Sequence, residues 1–174
     1  MENEPAPSEK ITSRSVGIRF GLYNALVGIL LFTIAVIMGS NPFSNMWNWI
    51  GAAIGIVLIV IAHKQFKDNG DSFMTYSQGV GIGFWIGLIS TVVSLPVLYI
   101  YIGFIDNSPF ELFLREQEDK LIAQGLPDQA IEMSMSWTKN LFWVFAAIGG
   151  IVGSVIVALI ISIFTKKSPP EMPV

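Results

Sequence analysis

The sequence predicts an all-α integral membrane protein with four transmembrane helices and an extramembrane helical hairpin between the third and the fourth. Two properties of the composition predict this fold class. Hydrophobic residues make up 52% of the 174 residues and charged residues only 13%, with a mean hydropathy of +0.60, whereas soluble domains carry about 25% charged residues. The charged residues are also confined to short zones between long apolar runs, which is typical of multispan membrane proteins.

Four apolar runs are long enough to cross a bilayer, and they predict spans at about residues 18–39, 47–63, 80–104 and 141–164. Twenty residues of α-helix cover about 30 Å, the thickness of a hydrocarbon core. The first run is longer than the apolar region of a signal peptide and lacks a small-residue cleavage site, so we expect an uncleaved span. In the short second run, Trp47 and His63 are expected to be interfacial anchors. Pro96 is expected to kink the third span.

The segments outside the spans predict two tails and one folded piece. Residues 1–15 are polar and contain two prolines, so we expect a disordered cytoplasmic tail. We expect a second cytoplasmic tail over residues 166–174. Residues 105–140 predict an outward helical segment, with one helix over about 110–124 and a second helix that restarts at Pro127 and ends near Trp137. Because apolar side chains share one face of the first helix, we expect this hairpin to lie against the membrane surface.

The distribution of basic residues predicts the orientation, because cytoplasmic loops are enriched in Lys and Arg. Seven basic residues flank the spans on one side: Lys10, Arg14, Arg19, Lys64, Lys67, Lys166 and Lys167. The other side carries three, all in the 105–140 segment, where seven acidic residues outnumber them. We therefore expect both termini in the cytoplasm and the acidic helical segment on the outer side.

The ionisable residues argue against most catalytic and transport chemistry. No Asp, Glu, Lys, Arg or His lies in the central part of a predicted span, and proton-coupled transporters usually keep one there. His63 is the only histidine and there is no cysteine, so one chain cannot form an ordinary zinc site. Glu116, Glu118 and Asp119 allow loose binding of a hard cation, but a solvated helix face is favoured. We therefore predict no catalytic residue, no cofactor-binding residue and no metal ligand.

Two polar residues near the start of the first span have alternative interpretations. Arg19 is expected to extend to the cytoplasmic headgroups. The alternative is a polar contact within the bundle, with Tyr23 or Asn24 about one helical turn away. Asn24 is itself a candidate for an interhelical hydrogen bond, which contributes about 0.6–1.7 kcal/mol in membranes.

Small residues at four-residue spacing occur in every predicted span. Such stripes let helix backbones approach closely in a bilayer, where lipid offers no hydrophobic drive toward association. The favoured interpretation is packing within the monomer, and the alternative is homodimerisation or docking to another membrane protein. The predicted packing positions are Gly21, Gly51, Gly55, Gly79, Gly83, Gly87, Gly149 and Gly153.

Three short motifs follow one another around the third span. The first is a basic exit from span two that leads to a glycine turn. The second is an aromatic residue followed by a hydroxyl residue and Gln-Gly at the start of span three. The third is an aspartate after span three, followed by the acidic helical segment. Their residues are Lys64, Lys67, Gly70, Phe73, Ser77, Gln78, Gly79, Gly83, Phe104, Ile105, Asp106, Gly125, Pro127, Ala130, Ile131 and Glu132.

In these motifs the chain resembles domain-of-unknown-function family 4199, a group of uncharacterised bacterial membrane proteins of similar length with four predicted spans. The resemblance covers nearly the whole chain beyond the first fifteen residues. It implies a multi-pass protein of the bacterial inner membrane. It implies no activity, cofactor or catalytic residue, because the family has no assigned activity.

These observations lead to one preferred function and one alternative. We expect a non-enzymatic structural or partner subunit of a membrane complex. The alternative is a small oligomeric channel or carrier that is not driven by a buried proton-binding residue. The expected partners are the lipid bilayer and either further copies of the chain or another membrane protein. Nucleic acid is not expected as a partner, because the net charge is −3 and no basic cluster with interleaved aromatic residues is present.

Overall fold

The computed structural model describes residues 11–168, and nearly all of them are helical. The elements are α1 (Ser13–Ile37), α2 (Asn45–Asp68), α3 (Tyr76–Ile100), a π-helical turn that continues α3 (Tyr101–Ile105), α4 (Ser108–Ala123) and α5 (Asp128–Thr165). Within the described residues there is no strand, only an isolated β-bridge between Met74 and Lys167. The predictions for residues 1–10 and 169–174 lie outside the described part of the chain.

The predicted all-α fold with four spans is confirmed. Four helices in the described part of the chain are long and apolar enough to cross a membrane. The first begins earlier than expected, at Ser13, because Thr12 caps it. The Ser15 backbone N–H donates to Thr12 Oγ1 (3.1 Å) and the Thr12 backbone N–H donates to Ser15 Oγ (3.2 Å), which satisfies two backbone donors at the start of the helix.

The prediction that a separate helix precedes the fourth span is wrong. Helix α5 runs without interruption for 38 residues, from Asp128 to Thr165, and so measures about 57 Å. The segment 138–140 is polar but contains neither proline nor glycine, so nothing there stops the helical hydrogen bonding. The start of α5 is therefore part of the same helix as the fourth span and not a second, separate helix. We call α4 together with residues 128–140 the arm.

Helix α3 is the central element of the bundle, and it packs against α1 on one side and α5 on the other. Consecutive spans run in opposite directions, so the start of α1 and the end of α5 lie at the same end of the bundle as the loop between α2 and α3. We call this the basic end, because six of the seven basic residues used to predict the orientation are described there. The opposite end is the arm end.

The buried apolar side chains form two separate clusters, one at each end. The cluster at the basic end centres on Phe20, Ile82 and Ile86. The cluster at the arm end contains Phe32, Ile102 and Phe110, surrounded by aromatic side chains of α4, α5 and the loop after α1.

Candidate functional site

Three glycines of α3 lie directly against small residues of α5. A methyl group added to Gly83 would overlap the Cβ of Ala158, and at Gly87 it would lie 2.7 Å from the Cβ of Ser154. At Gly79 it would lie 2.5 Å from the Oγ of Ser162. Real Cβ contacts are almost never this short, so the three glycines set the separation between the two backbones. Ser154 Oγ also donates to the Gly83 carbonyl (2.8 Å).

On its other side, α3 contacts α1 through Gly21 and Asn24. A methyl group at Gly21 would lie 2.8 Å from the Cβ of Ile89. One turn further, Asn24 Nδ2 donates to Ser90 Oγ (3.0 Å), which is the interhelical hydrogen bond proposed for Asn24. Interhelical hydrogen bonds of this kind contribute to helix association in a bilayer.

Arg19 is exposed and contacts Tyr23 of its own helix. Its Nε donates to the Tyr23 hydroxyl (3.1 Å), and its guanidinium lies 5.9 Å from the centre of that ring. The structure therefore brings Arg19 together with Tyr23 and not with Asn24, on the outside of the bundle.

Four of the predicted packing glycines make looser contacts. A methyl group at Gly51 or Gly55 would make ordinary van der Waals contacts at 3.8 and 3.7 Å. At Gly149 and Gly153 it would meet nothing within 4 Å among the described residues. The face of α5 that packs on α3 instead carries Gly150. A methyl group added at Gly150 would lie 2.7 Å from Thr91 Oγ1. Adjacent helical positions point about 100° apart, so a stripe shifted by one residue turns away from the neighbour.

The looser contacts border a cavity of about 300 Å³ between α1, α2, α3 and α5. Gly51 and Gly55 line it from α2, and Gly153 lines it from α5. Two polar side chains, Asn24 and Ser154, also reach it. It is thus mostly apolar and borders the cluster at the basic end, since Ile59 and Ile86 also line it.

The expectation that His63 is an interfacial anchor is wrong. The side chain is fully buried at the basic end, where α2, α3 and α5 meet. Its Nε2 is 3.0 Å from the Gly79 carbonyl and its Nδ1 is 2.8 Å from Thr165 Oγ1. Because a carbonyl only accepts, Nε2 carries the proton in this geometry. Both ring nitrogens are therefore used to join three helices.

Further polar contacts around His63 hold the end of α5. Lys67 Nζ donates to the Thr165 carbonyl (3.0 Å), one of the carbonyls that a helix leaves unpaired at its end. The backbone groups of Met74 and Lys167 form two reciprocal hydrogen bonds of 2.9 Å. A positive charge at a helix C-terminus interacts favourably with the helix dipole. This cluster thus fastens the loop between α2 and α3 to the end of the last span.

The arm is attached to the bundle by an aromatic cluster. The ring of Phe142 in α5 lies 4.8 Å from Phe110, 5.4 Å from Phe113 and 5.2 Å from Phe43, measured between centroids. Asn41, which is buried, donates from Nδ2 to Glu116 Oε2 (2.7 Å). Sequence reasoning missed this contact, since it assigned Glu116 to a solvated face. The arm is thus fixed to the loop between α1 and α2.

A groove of about 460 Å³ lies on the arm between α4 and α5. Three carboxylates line it, those of Glu118, Asp128 and Glu132, together with Ile122, Ile131 and Met135. We call it the acidic groove. No group of three His, Asp or Glu side chains in residues 11–168 is arranged to hold a metal ion, so the groove combines negative charge with apolar surface and is not built as a metal site.

The model of a family described as "Protein of unknown function (DUF4199)" matches residues 19–167. No curated protein and no solved structure matches the chain.

Proposed function

The chain belongs to the protein family of unknown function DUF4199, and we propose that it is a non-enzymatic structural or partner subunit of a membrane complex. The observation that supports this proposal is the fixed arm. Helix α5 extends from the bundle as one continuous helix, and the aromatic cluster and the Asn41–Glu116 bond hold α4 beside it. A surface held this rigidly loses little conformational entropy when it binds a partner.

The acidic groove indicates the chemistry of the partner. Its carboxylates from Glu118, Asp128 and Glu132 are complementary to Lys and Arg side chains, and its apolar residues are complementary to aliphatic ones. We therefore propose that the partner contributes a basic, amphipathic segment from an extramembrane part of another membrane protein.

The absence of enzymatic activity is part of the proposal. This part of the proposal is supported by the role of His63, whose imidazole is the side chain best suited to acid–base catalysis. Both ring nitrogens of His63 are engaged in hydrogen bonds that join helices.

We expect affinity purification of the full chain, after mild detergent extraction, to yield a stable complex with a different membrane protein. The double variant Glu118→Gln with Glu132→Gln should lose that protein, because the groove then lacks two of its three carboxylates. The matched control, Asp71→Asn with Asp119→Asn, removes the same charge at exposed positions outside the groove and should keep it.

A different outcome of this purification would contradict the subunit proposal. A complex that contains only copies of this chain, and that conducts ions or a neutral solute in reconstituted vesicles, would favour the second candidate, an oligomeric channel or carrier. The observation in favour of this alternative is the cavity of about 300 Å³ between the spans.

We further propose that the protein lies in a bacterial inner membrane with its basic end in the cytoplasm and the arm outside. The excess of Lys and Arg at the basic end supports this orientation. A reporter that is active only in the cytoplasm should work when fused after Val174. A reporter that is active only in the periplasm should work when inserted at Gly125, in the exposed turn between α4 and α5. The reverse pattern would show that the orientation is wrong.

A further inference from the structure

A pocket of about 450 Å³ opens where the third span meets the arm. Its volume falls in the range of about 300–1,000 Å³ that is usual for small-molecule sites. The π-helical turn forms one wall with Gly103 and Phe104, and such turns occur frequently at functional sites. A side chain at Gly103 would meet nothing within 4 Å. The pocket shares no lining residue with the acidic groove, so it is a separate feature.

The pocket lies at the boundary between the apolar spans and the charged residues of the arm. Tyr99 and Trp143 line it with ring centroids 5.3 Å apart, and such rings are enriched at the membrane–water interface. Residues 140–165 of α5 carry no charge, whereas Lys139, one turn before Trp143, is charged and exposed. The Phe104 side chain is 79% exposed on the outer surface of the bundle. One side of the pocket is therefore suited to acyl chains and the other to water.

Two residues of opposite charge, Lys139 and Glu111, line the polar side of the pocket. Lys139 makes no ion pair with any residue in the range 11–168. The Glu111 carboxylate lies 3.9 Å from the Arg115 guanidinium and accepts a 3.3 Å hydrogen bond from Asn107. Both contacts are long and solvent-exposed, so they hold the carboxylate only weakly. A cation and an anion are thus available to one ligand.

We propose that this pocket binds the headgroup of a zwitterionic phospholipid, with the phosphate at Lys139 and the ammonium group at Glu111. The interfacial level and the exposed Phe104 specify a lipid, because a soluble phosphate ester has no chains to place against that surface. The Glu111 carboxylate favours a headgroup that carries an ammonium group. It disfavours an anionic headgroup, because it repels a second negative group or a phosphate whose charge is not compensated.

The test measures binding of two phospholipids with identical acyl chains, phosphatidylethanolamine and phosphatidylglycerol, to the full-length protein in detergent by native mass spectrometry. We expect the wild-type protein to bind phosphatidylethanolamine about fivefold more tightly, the factor for a charge contact of about 1 kcal/mol. Lys139→Gln should weaken phosphatidylethanolamine binding by a similar factor, and Glu111→Gln should abolish the preference.

The variant Arg115→Gln is the matched control for Glu111→Gln, because it breaks the same ion pair but keeps the carboxylate. It should retain the preference for phosphatidylethanolamine. Lys120→Gln, which removes an exposed charge of α4 outside the pocket, controls for Lys139→Gln and should bind like the wild type. Equal binding of the two lipids to the wild-type protein, or a preference that survives Glu111→Gln, would overturn the proposal.

Discussion

Replacing Gly83 by isoleucine should destabilise the protein by about 3 kcal/mol, the upper end of the usual range for an overpacked core. The new Cβ would overlap that of Ala158, and the backbone carbonyl oxygen of Ser154 lies 3.3 Å from the same position. A backbone neighbour cannot rotate away, so α3 and α5 would have to separate. That separation would also stretch the 2.8 Å bond between Ser154 Oγ and the Gly83 carbonyl. Thermal unfolding in detergent, followed by circular dichroism, measures the loss.

Gly149→Ile provides the matched control in the same pair of spans. A methyl group at Gly149 meets nothing within 4 Å in the described chain, so the monomer should unfold within about 1 kcal/mol of the wild type. Equal losses for the two variants would contradict the packing of α3 on α5. A change of oligomer size in Gly149→Ile alone would instead identify this face as a contact between copies of the chain or with another membrane protein.

Replacing His63 by leucine should cost roughly 2 kcal/mol of stability. The substitution introduces an apolar side chain of similar size but removes the hydrogen bonds that the ring makes with the Gly79 carbonyl and with Thr165 Oγ1. Interhelical bonds in membranes contribute about 0.6–1.7 kcal/mol each, and two are lost. Because the cluster fastens the loop between α2 and α3 to the end of α5, we also expect faster proteolysis of that loop.

Lys64→Leu is the control for His63→Leu, because Lys64 is the next residue of α2 and is exposed. It should leave both the unfolding temperature and the rate of proteolysis close to those of the wild type. His63→Gln should recover part of the stability, since its amide retains a donor and an acceptor. If His63→Leu is as stable as Lys64→Leu, the ring does not join the helices.

The sequence was sufficient to identify the spans, because the free energy of placing a helix in a bilayer depends mainly on the apolar character of its own residues. It was not sufficient to place His63. A polar residue near the end of a span either reaches the headgroups or is buried, and the outcome depends on which helices lie beside it. Here the bare backbone at Gly79 and the hydroxyl of Thr165 provide the partners, and neither is near His63 in sequence.

The glycines illustrate the same division. Four-residue spacing predicts that a stripe lies on one helix face, but the direction of that face is set by the packing of the neighbours. The contacts of α5 with α3 therefore use Gly150, Ser154 and Ala158, while Gly149 and Gly153 lie one position away from the contact.

What the amino-acid sequence by itself determined is the all-α class, the four spans and the acidic character of the arm, since each follows from local composition. The tertiary structure alone decided that the arm continues the last span, that Glu116 bonds to Asn41, and that a single histidine joins three helices. The physical reason is that hydropathy is a sum over neighbours along one helix. Hydrogen bonds and close packing depend instead on residues brought together from distant parts of the chain.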